Sequence, residues 1–157
     1  MDEIVLNDKI ELKNYAKIEE IDENKYAITF EFTKPVIINF ECPNLFWYNF
    51  IKSTENVVAD FFIKARDITF TELFFATKKI YAENITTKST LGCDEIVASN
   101  NIVGYDVRSK TVKARNINLK YLSCKELACS NELNADIMVL NNIEFENICA
   151  KHIKTIK

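Results

Sequence analysis

The chain has 157 residues, of which 48% are hydrophobic and 27% charged, and its net charge is −3. This composition is typical of one well-buried domain with at most a small appended unit, and it excludes an intrinsically disordered chain. The acidic N-terminus has no basic region followed by an apolar core, and no apolar run approaches the ~18 residues that span a bilayer. We therefore expect a cytoplasmic protein with no secretory signal and no membrane partner.

Charge is distributed unevenly along the chain. Residues 1–62 contain 6 Lys, no Arg and 12 acidic residues, a net charge of −6, whereas residues 63–157 have a net charge of +3. The hydrophobic periodicity changes at the same place. We therefore predict two units, a β-rich capping unit at residues 1–62 and a repeat domain at residues 63–157.

The N-terminal unit begins with two strand-like segments. KYAITFEF alternates apolar and polar side chains, and PVIINFE follows a turn at residues 33–35, so the pattern predicts a hairpin. STENVVADFF has apolar residues at helical spacing behind a Ser or Thr N-cap, which predicts a short helix within residues 53–62. The aromatic segment LFWYNF, with Trp47 and Tyr48, completes a cap for the open end of the repeat domain.

From Ile63 onward an aliphatic residue, here called an anchor, returns every fifth position, with one or two extra residues at four junctions. This period fits neither a helix nor a simple strand. The residue two positions after each anchor is mostly Ala, Ser, Cys or Gly, and in a strand both residues point to the same side. The anchors are Ile63, Ile68, Leu73, Ile80, Ile85, Leu91, Ile96, Ile102, Val107, Val112, Ile117, Leu122, Leu127, Leu133, Met138, Ile143, Ile148 and Ile153.

A single pentad cannot bury its apolar pair, so the pentads must stack on one another. Residues before the anchors are often Asn, Asp or Glu, which tolerate the geometry of a corner. We therefore predict an all-β fold, a right-handed parallel β-helix whose coils lie about 4.8 Å apart. If four pentads form one coil, the repeat domain has between four and five coils.

The units AENI, ARNI and ASNNI resemble those of pentapeptide-repeat proteins, whose fold is a four-sided right-handed β-helix. The standard pattern of that family places its small residue two positions before the Leu, whereas here it lies two positions after. Tandem N-I-x-A-x units with an aromatic interruption such as ITFTELFFATKKIYAENI are similar to those of small proteins from low-GC bacteria and their phages. The resemblance covers residues 63–157 and implies a fold, without an activity or site residues.

Few residues are suited to catalysis or metal binding. Cys93, Cys124 and Cys129 occupy the small position of the pentad, which predicts buried core residues, whereas Cys149 directly follows an anchor and should face outward as the best candidate for a reactive thiol. His152 is the only histidine, which excludes multi-histidine metal sites, and its position just before an anchor predicts a surface corner in preference to the base of a Ser-His-Asp triad. The acidic residues are dispersed and Arg is rare. We therefore expect no metal, no cofactor and no enzymatic activity, with a carbohydrate-active β-helix enzyme as the least favoured alternative.

Several basic residues lie at positions away from the anchors and their small partners. A solvated face is the favoured interpretation, and a stripe that binds phosphate or an acidic partner is the alternative. These residues are Arg108, Lys110, Lys113, Arg115, Lys120 and Lys125.

The sequence as a whole indicates a non-enzymatic binding protein. Its candidate contact residues lie in the acidic, aromatic N-terminal unit and among the basic residues of the repeat domain. They are Trp47, Tyr48, Arg108, Lys110, Lys113, Arg115 and Lys120. We expect a protein partner, such as a nucleic-acid-processing complex, in preference to direct nucleic-acid binding. The resemblance to phage proteins suggests an inhibitor of a host nuclease or an anti-CRISPR-like inhibitor of a defence complex. The alternative is a self-assembling scaffold that forms homodimers or filaments through its ends.

Overall fold

The computed structural model describes residues 3–23, 25–42, 58–76, 78–145 and 148–155. Most of these residues lie in strands and few in a helix, which confirms the predicted all-β class. The elements in chain order are β1 (Ile4–Leu6), α1 (Lys9–Lys13), β2 (Ala16–Asp22), β3 (Lys25–Phe32), β4 (Val36–Ile38), β5 (Val58–Ala65), β6 (Asp67–Phe70), β7 (Phe74–Phe75), β8 (Lys79–Phe145) and β9 (Ile148–Thr155). Within these ranges, no helix has both the length and the apolar character needed to cross a bilayer.

Parallel pairing joins strands that are far apart in sequence. One series runs from β1 to β4, β6 and β8, and another runs from β3 to β5 and β8. The aligned residues are Ile4, Val36, Ile68 and Ile85 in the first series and Phe30, Ile63 and Ile80 in the second. Between named strands of the described chain, the antiparallel pair is β2 with β3. Aliphatic or aromatic residues therefore lie directly above one another from strand to strand.

β8 is a continuous strand of 67 residues, which is far too long to run straight through a protein of this size. Side chains within it and just before it bond to each other at separations of 15, 16 and 17 residues. The chain therefore bends and comes to lie beside its own earlier residues after every 15 to 17 residues, and we call each such turn of the chain a layer. Because 15 residues correspond to three pentads, each of these layers contains about three pentads and not the four considered above.

The anchors form the interior, as predicted. From Ile63 to Met138 they are buried, with one exception at Leu73, where the neighbouring Phe74 is buried and lies opposite Leu91. The register assigned to Leu73 was therefore wrong by one residue, at the junction where the pentad pattern has two extra residues. A single hydrophobic cluster extends from Leu6 to Leu140.

The hairpin predicted between KYAITFEF and PVIINFE is wrong. These segments form β3 and β4, but β3 pairs with β2 and β5, and β4 pairs with β1 and β6. Both strands bury alternate side chains, so each gains more by stacking on a later parallel strand that extends the same interior. The antiparallel hairpin is β2–β3, which the sequence concealed because AKIEEID has mostly charged residues.

The helix predicted within residues 53–62 is wrong over its described part, because Val58–Ala65 forms β5 and pairs in parallel with β3. In the described part of the chain the helix is Lys9–Lys13, which was not predicted. Its N-cap is Asp8, whose carboxylate accepts a hydrogen bond from the backbone N–H of Glu11 at 2.8 Å.

β5 also spans the expected boundary between residues 62 and 63, and strand pairing passes through it from β3 to β8. The division into a cap and a repeat domain stays a prediction, but the two regions share one sheet and one core. Gly104 occupies the small position of its pentad, and its φ is +146°. A Cβ atom at this position would overlap the backbone carbonyl of Thr87 in the preceding layer, so glycine is required there.

Candidate functional site

A line of hydrogen-bonded asparagines crosses the layers on one side of the molecule. The Nδ2 of Asn101 donates to Oδ1 of Asn84 at 3.1 Å, Asn116 donates to Asn101 at 3.0 Å, and Asn131 donates to Asn116 at 2.6 Å. Asn84 in turn donates to Asp67 at 2.7 Å. Apart from Asn131, these side chains lie just before anchors, the positions that the sequence indicated as corners, and they bond the layers to each other in register. We call them the asparagine ladder.

The predicted basic residues do not form one continuous stripe. Lys110 lies 3.8 Å from the carboxylate of Asp94, in an exposed ion pair. Lys113 and Arg115 are exposed on either side of the buried Ala114. Lys125 is also exposed.

Arg108, in contrast, lines a depression of about 550 Å³ on the outer surface of β8, and Lys120 contacts two tyrosines of the same depression. Residues from neighbouring layers line this depression, and we call it the tyrosine depression. The lining residues that define its chemistry are Tyr105, Asp106, Arg108, Tyr121, Ser123 and Ile137.

Asp106 is a charged residue that is only 5% exposed. Its Oδ2 accepts hydrogen bonds from the Thr90 hydroxyl at 3.0 Å and from Nε of Arg108 at 3.1 Å. The Arg108 side chain is itself 64% exposed, so its terminal amino groups face solvent. The pair therefore holds a carboxylate and a guanidinium in fixed positions beside each other.

The aromatic part of the depression consists of Tyr105 and Tyr121, whose ring centroids are 5.4 Å apart with an interplanar angle of 83°. Tyr105 is 43% exposed. The ammonium group of Lys120 lies 5.7 Å from the Tyr105 centroid and 5.6 Å from the Tyr121 centroid, within the range of a cation–π contact. The contact between these two tyrosines was not predicted from the sequence, because it depends on the number of residues in one layer.

A second surface of interest is the outer edge of β2. This strand is at the end of the sheet, and among the described strands only β3 pairs with it. Ile18 and Ile21 are 53% and 55% exposed, and Glu19 and Glu20 are exposed between them. We call this surface the acidic edge. Trp47 and Tyr48, the predicted contact residues of the same region, lie outside the described residues.

The described cysteine side chains are unsuited to act as nucleophiles or metal ligands at neutral pH. Burial raises the pKa of the Cys42, Cys93 and Cys124 thiols to about 12, and it also raises the pKa of Cys129. All four are buried, which confirms the core assignment of the three in the repeat domain. The side chains of Cys149 and His152 lie outside the described part of the chain.

Within that described part, no three His, Cys, Asp or Glu side chains are grouped closely enough to hold a metal ion. No protein-family model matches the chain, and no curated protein or solved structure matches it either. Its function must therefore be inferred from its own contacts and charges.

Proposed function

We propose that this chain is a right-handed parallel β-helix with about three pentads per coil, and that it acts as a non-enzymatic binding protein. The parallel pairing, the return after 15 to 17 residues and the continuous interior support this architecture. The asparagine ladder ties successive layers together and makes their outer surface rigid. A rigid surface loses little conformational entropy when it binds, which favours recognition of a macromolecule.

The observation that carries the binding proposal is the acidic edge of β2. An edge strand presents backbone N–H and C=O groups that an extended segment of another protein can pair with. Ile18 and Ile21 supply apolar contacts, and Glu19 and Glu20 favour a basic partner by charge complementarity. The expected partner is therefore a protein with an exposed, basic, extended segment.

Proteins that process nucleic acids have basic surfaces because they bind phosphates. An acidic strand edge is complementary to such a surface and competes with the nucleic acid for it. This supports an inhibitor of a host nuclease or of a defence complex as the specific form of the proposal.

The test is affinity capture from the native host, using the wild-type chain and two charge-matched variants. Glu19→Lys/Glu20→Lys reverses the acidic edge, whereas Glu72→Lys/Glu126→Lys makes the same change at exposed positions elsewhere. We expect the wild type and the second variant to retain the same partner and the first variant to lose it, with capture decreasing at high salt. Equal capture by all three proteins would reject the acidic edge as the binding surface.

The free edge of β2 also favours one other function, a scaffold that assembles from identical copies. Light scattering coupled to size-exclusion chromatography separates the two functions. A monomer over a wide concentration range is expected for the binding protein, whereas polymers that grow with concentration would support the scaffold.

A further inference from the structure

The tyrosine depression is separate from the acidic edge and crosses four successive layers of β8. Thr90 and Asp106 are 16 residues apart and in contact, and Tyr121 and Ile137 belong to the following two layers. With adjacent strands about 4.8 Å apart, three layer intervals extend on the order of 14 Å, a length that accommodates a disaccharide. The buried Leu122 forms part of the base, and Ser123 leaves space because its side chain is small.

One part of the depression is polar and preorganised. Asp106 is held by Thr90 and Arg108, so its carboxylate can accept a hydrogen bond without a change of position. The terminal amino groups of Arg108 remain available as donors beside it. A fixed acceptor next to fixed donors is suited to neighbouring hydroxyl groups on one ring.

The other part is apolar. Tyr105, Tyr121, Ile137 and Val139 supply aromatic and aliphatic surface to the same depression. A sugar ring has hydroxyl groups at its edge and an apolar C–H face, and an aromatic side chain can pack against that face. Sites for small ligands typically combine a largely apolar wall with a few well-placed polar groups in a volume of roughly 300–1,000 Å³.

We propose that the tyrosine depression binds a short saccharide that carries a carboxylate. The rim is cationic, because Lys120 lies beside both tyrosine rings and the charge of Arg108 offsets that of Asp106, the carboxylate that lines the depression. The acid group of the sugar is bound by this cationic rim, and its ring packs on the tyrosines. A protein partner of standard size covers about 800 Å² per side, for which this shallow and partly polar depression is too small.

The test is a chemical-shift titration of the full-length, isotopically labelled chain with digalacturonate, with neutral galactobiose and with acetate. Digalacturonate should cause saturable shifts at the amides of residues 90, 105–108, 121–123 and 137–139. Galactobiose, which lacks the carboxylates, should bind about tenfold more weakly, the usual effect of losing one charged hydrogen bond. Acetate should cause no saturable shifts, because it has no ring.

Three variants assign the binding to the depression. Ser123→Phe fills it from an outward position and should abolish binding, and Arg108→Gln should weaken binding about tenfold. Lys113→Gln, an exposed change on the same strand, is the matched control and should bind like the wild type. Glu19→Lys/Glu20→Lys should also bind normally, so this proposal and that of the acidic edge can fail independently.

The proposal is overturned if digalacturonate causes no saturable shifts, if acetate has the same effect, or if folded Ser123→Phe retains full binding. Shifts at the same amides with an acidic peptide but not with digalacturonate would identify a protein-contact surface instead.

Discussion

The N-terminal strands and β8 contribute to the same core but reach it in different ways. In the N-terminal region, Asn39 bonds to Asn7 and Thr71 bonds to Asn39, each across 32 residues. In β8 the equivalent bonds of the asparagine ladder cross 15 residues. The N-terminal chain therefore uses about twice as many residues for each return.

Some of the additional residues enlarge the core, since Leu12, Ile28 and Phe30 are buried. Between β1 and β4 they form α1, β2 and β3, and β2 extends to the free end of the sheet. The stacked strands, β3 among them, form the interior, and the end strand β2 determines what the surface presents in this region. The difference in the number of residues per return shows how one core can support an acidic edge in the N-terminal region and a depression on the surface of β8.

The largest expected effect tests whether the two regions are one cooperative unit. Leu122→Lys in β8 and Ile28→Lys in β3 each bury an unpaired charge at a position with almost no solvent exposure. We expect each to cost more than about 4 kcal/mol and to unfold the whole chain. Circular dichroism and hydrogen exchange provide the measurement. Retention of a protected β8 in Ile28→Lys would show that the regions fold separately.

A smaller effect compares the polar bonds of the two regions. Asn101→Ala removes a donor and an acceptor from the partly buried asparagine ladder, so we expect a loss of about 1–2 kcal/mol in urea unfolding. Asn39→Ala removes two exposed bonds and should cost less than about 1 kcal/mol. Asn118→Ala, exposed on β8, serves as the control. Equal losses for all three would mean that the ladder adds nothing.

Alkaline pH should lower the free energy of unfolding through one buried thiol in each region, Cys42 and Cys124, by the same amount. The folded-state pKa of Cys42 and Cys124 is about 12, against 9.0 for a free thiol, so only the unfolded state loses these protons between those values. Stability is therefore fully present below pH 9 and decreases as the pH rises toward 12. From pH 8 to pH 10, under reducing conditions, the wild type should lose about 1.4 kcal/mol more than either Cys→Ala variant. Parallel pH profiles would contradict the buried thiols.

The smallest effects are expected at surface charges. Lys120→Ala in β8 and Glu19→Ala in β2 should each change the unfolding free energy by less than about 0.5 kcal/mol, because exposed cation–π contacts and surface charges add little. Thermal denaturation measures this directly. A loss at Lys120 as large as that at Leu122 would mean that the anchors do not define the interior.

The interior could be predicted from the sequence because the anchor and the small residue two positions later mark which side chains of each pentad point inward. The burial of Leu122 and Cys124 follows from their two-residue spacing alone. The number of pentads in a layer could not be predicted, because the pattern specifies which residues face inward but not how sharply the chain bends between them. The pairing of β3 with β5 was missed because parallel pairing over 33 residues has no local signature.

The candidate site could be predicted in part. Arg108 and Lys120 were recognised as outward basic residues, but Tyr105, Tyr121 and Thr90 were not, since they meet only when the chain returns after 16 residues. The exposed isoleucines of β2 were also missed, because an apolar residue in a strand normally indicates burial.

The number of residues between two paired strands also determines the order in which the strands can pair during folding. Closing a loop costs entropy that increases with its length, and proteins whose contacts are close in sequence fold faster. The layers of β8 close over 15 residues and can form one after another from a single nucleus. β1 must instead await β4, a closure over 32 residues, so we expect β1 to join the sheet late, whereas the local hairpin β2–β3 that carries the acidic edge can form early.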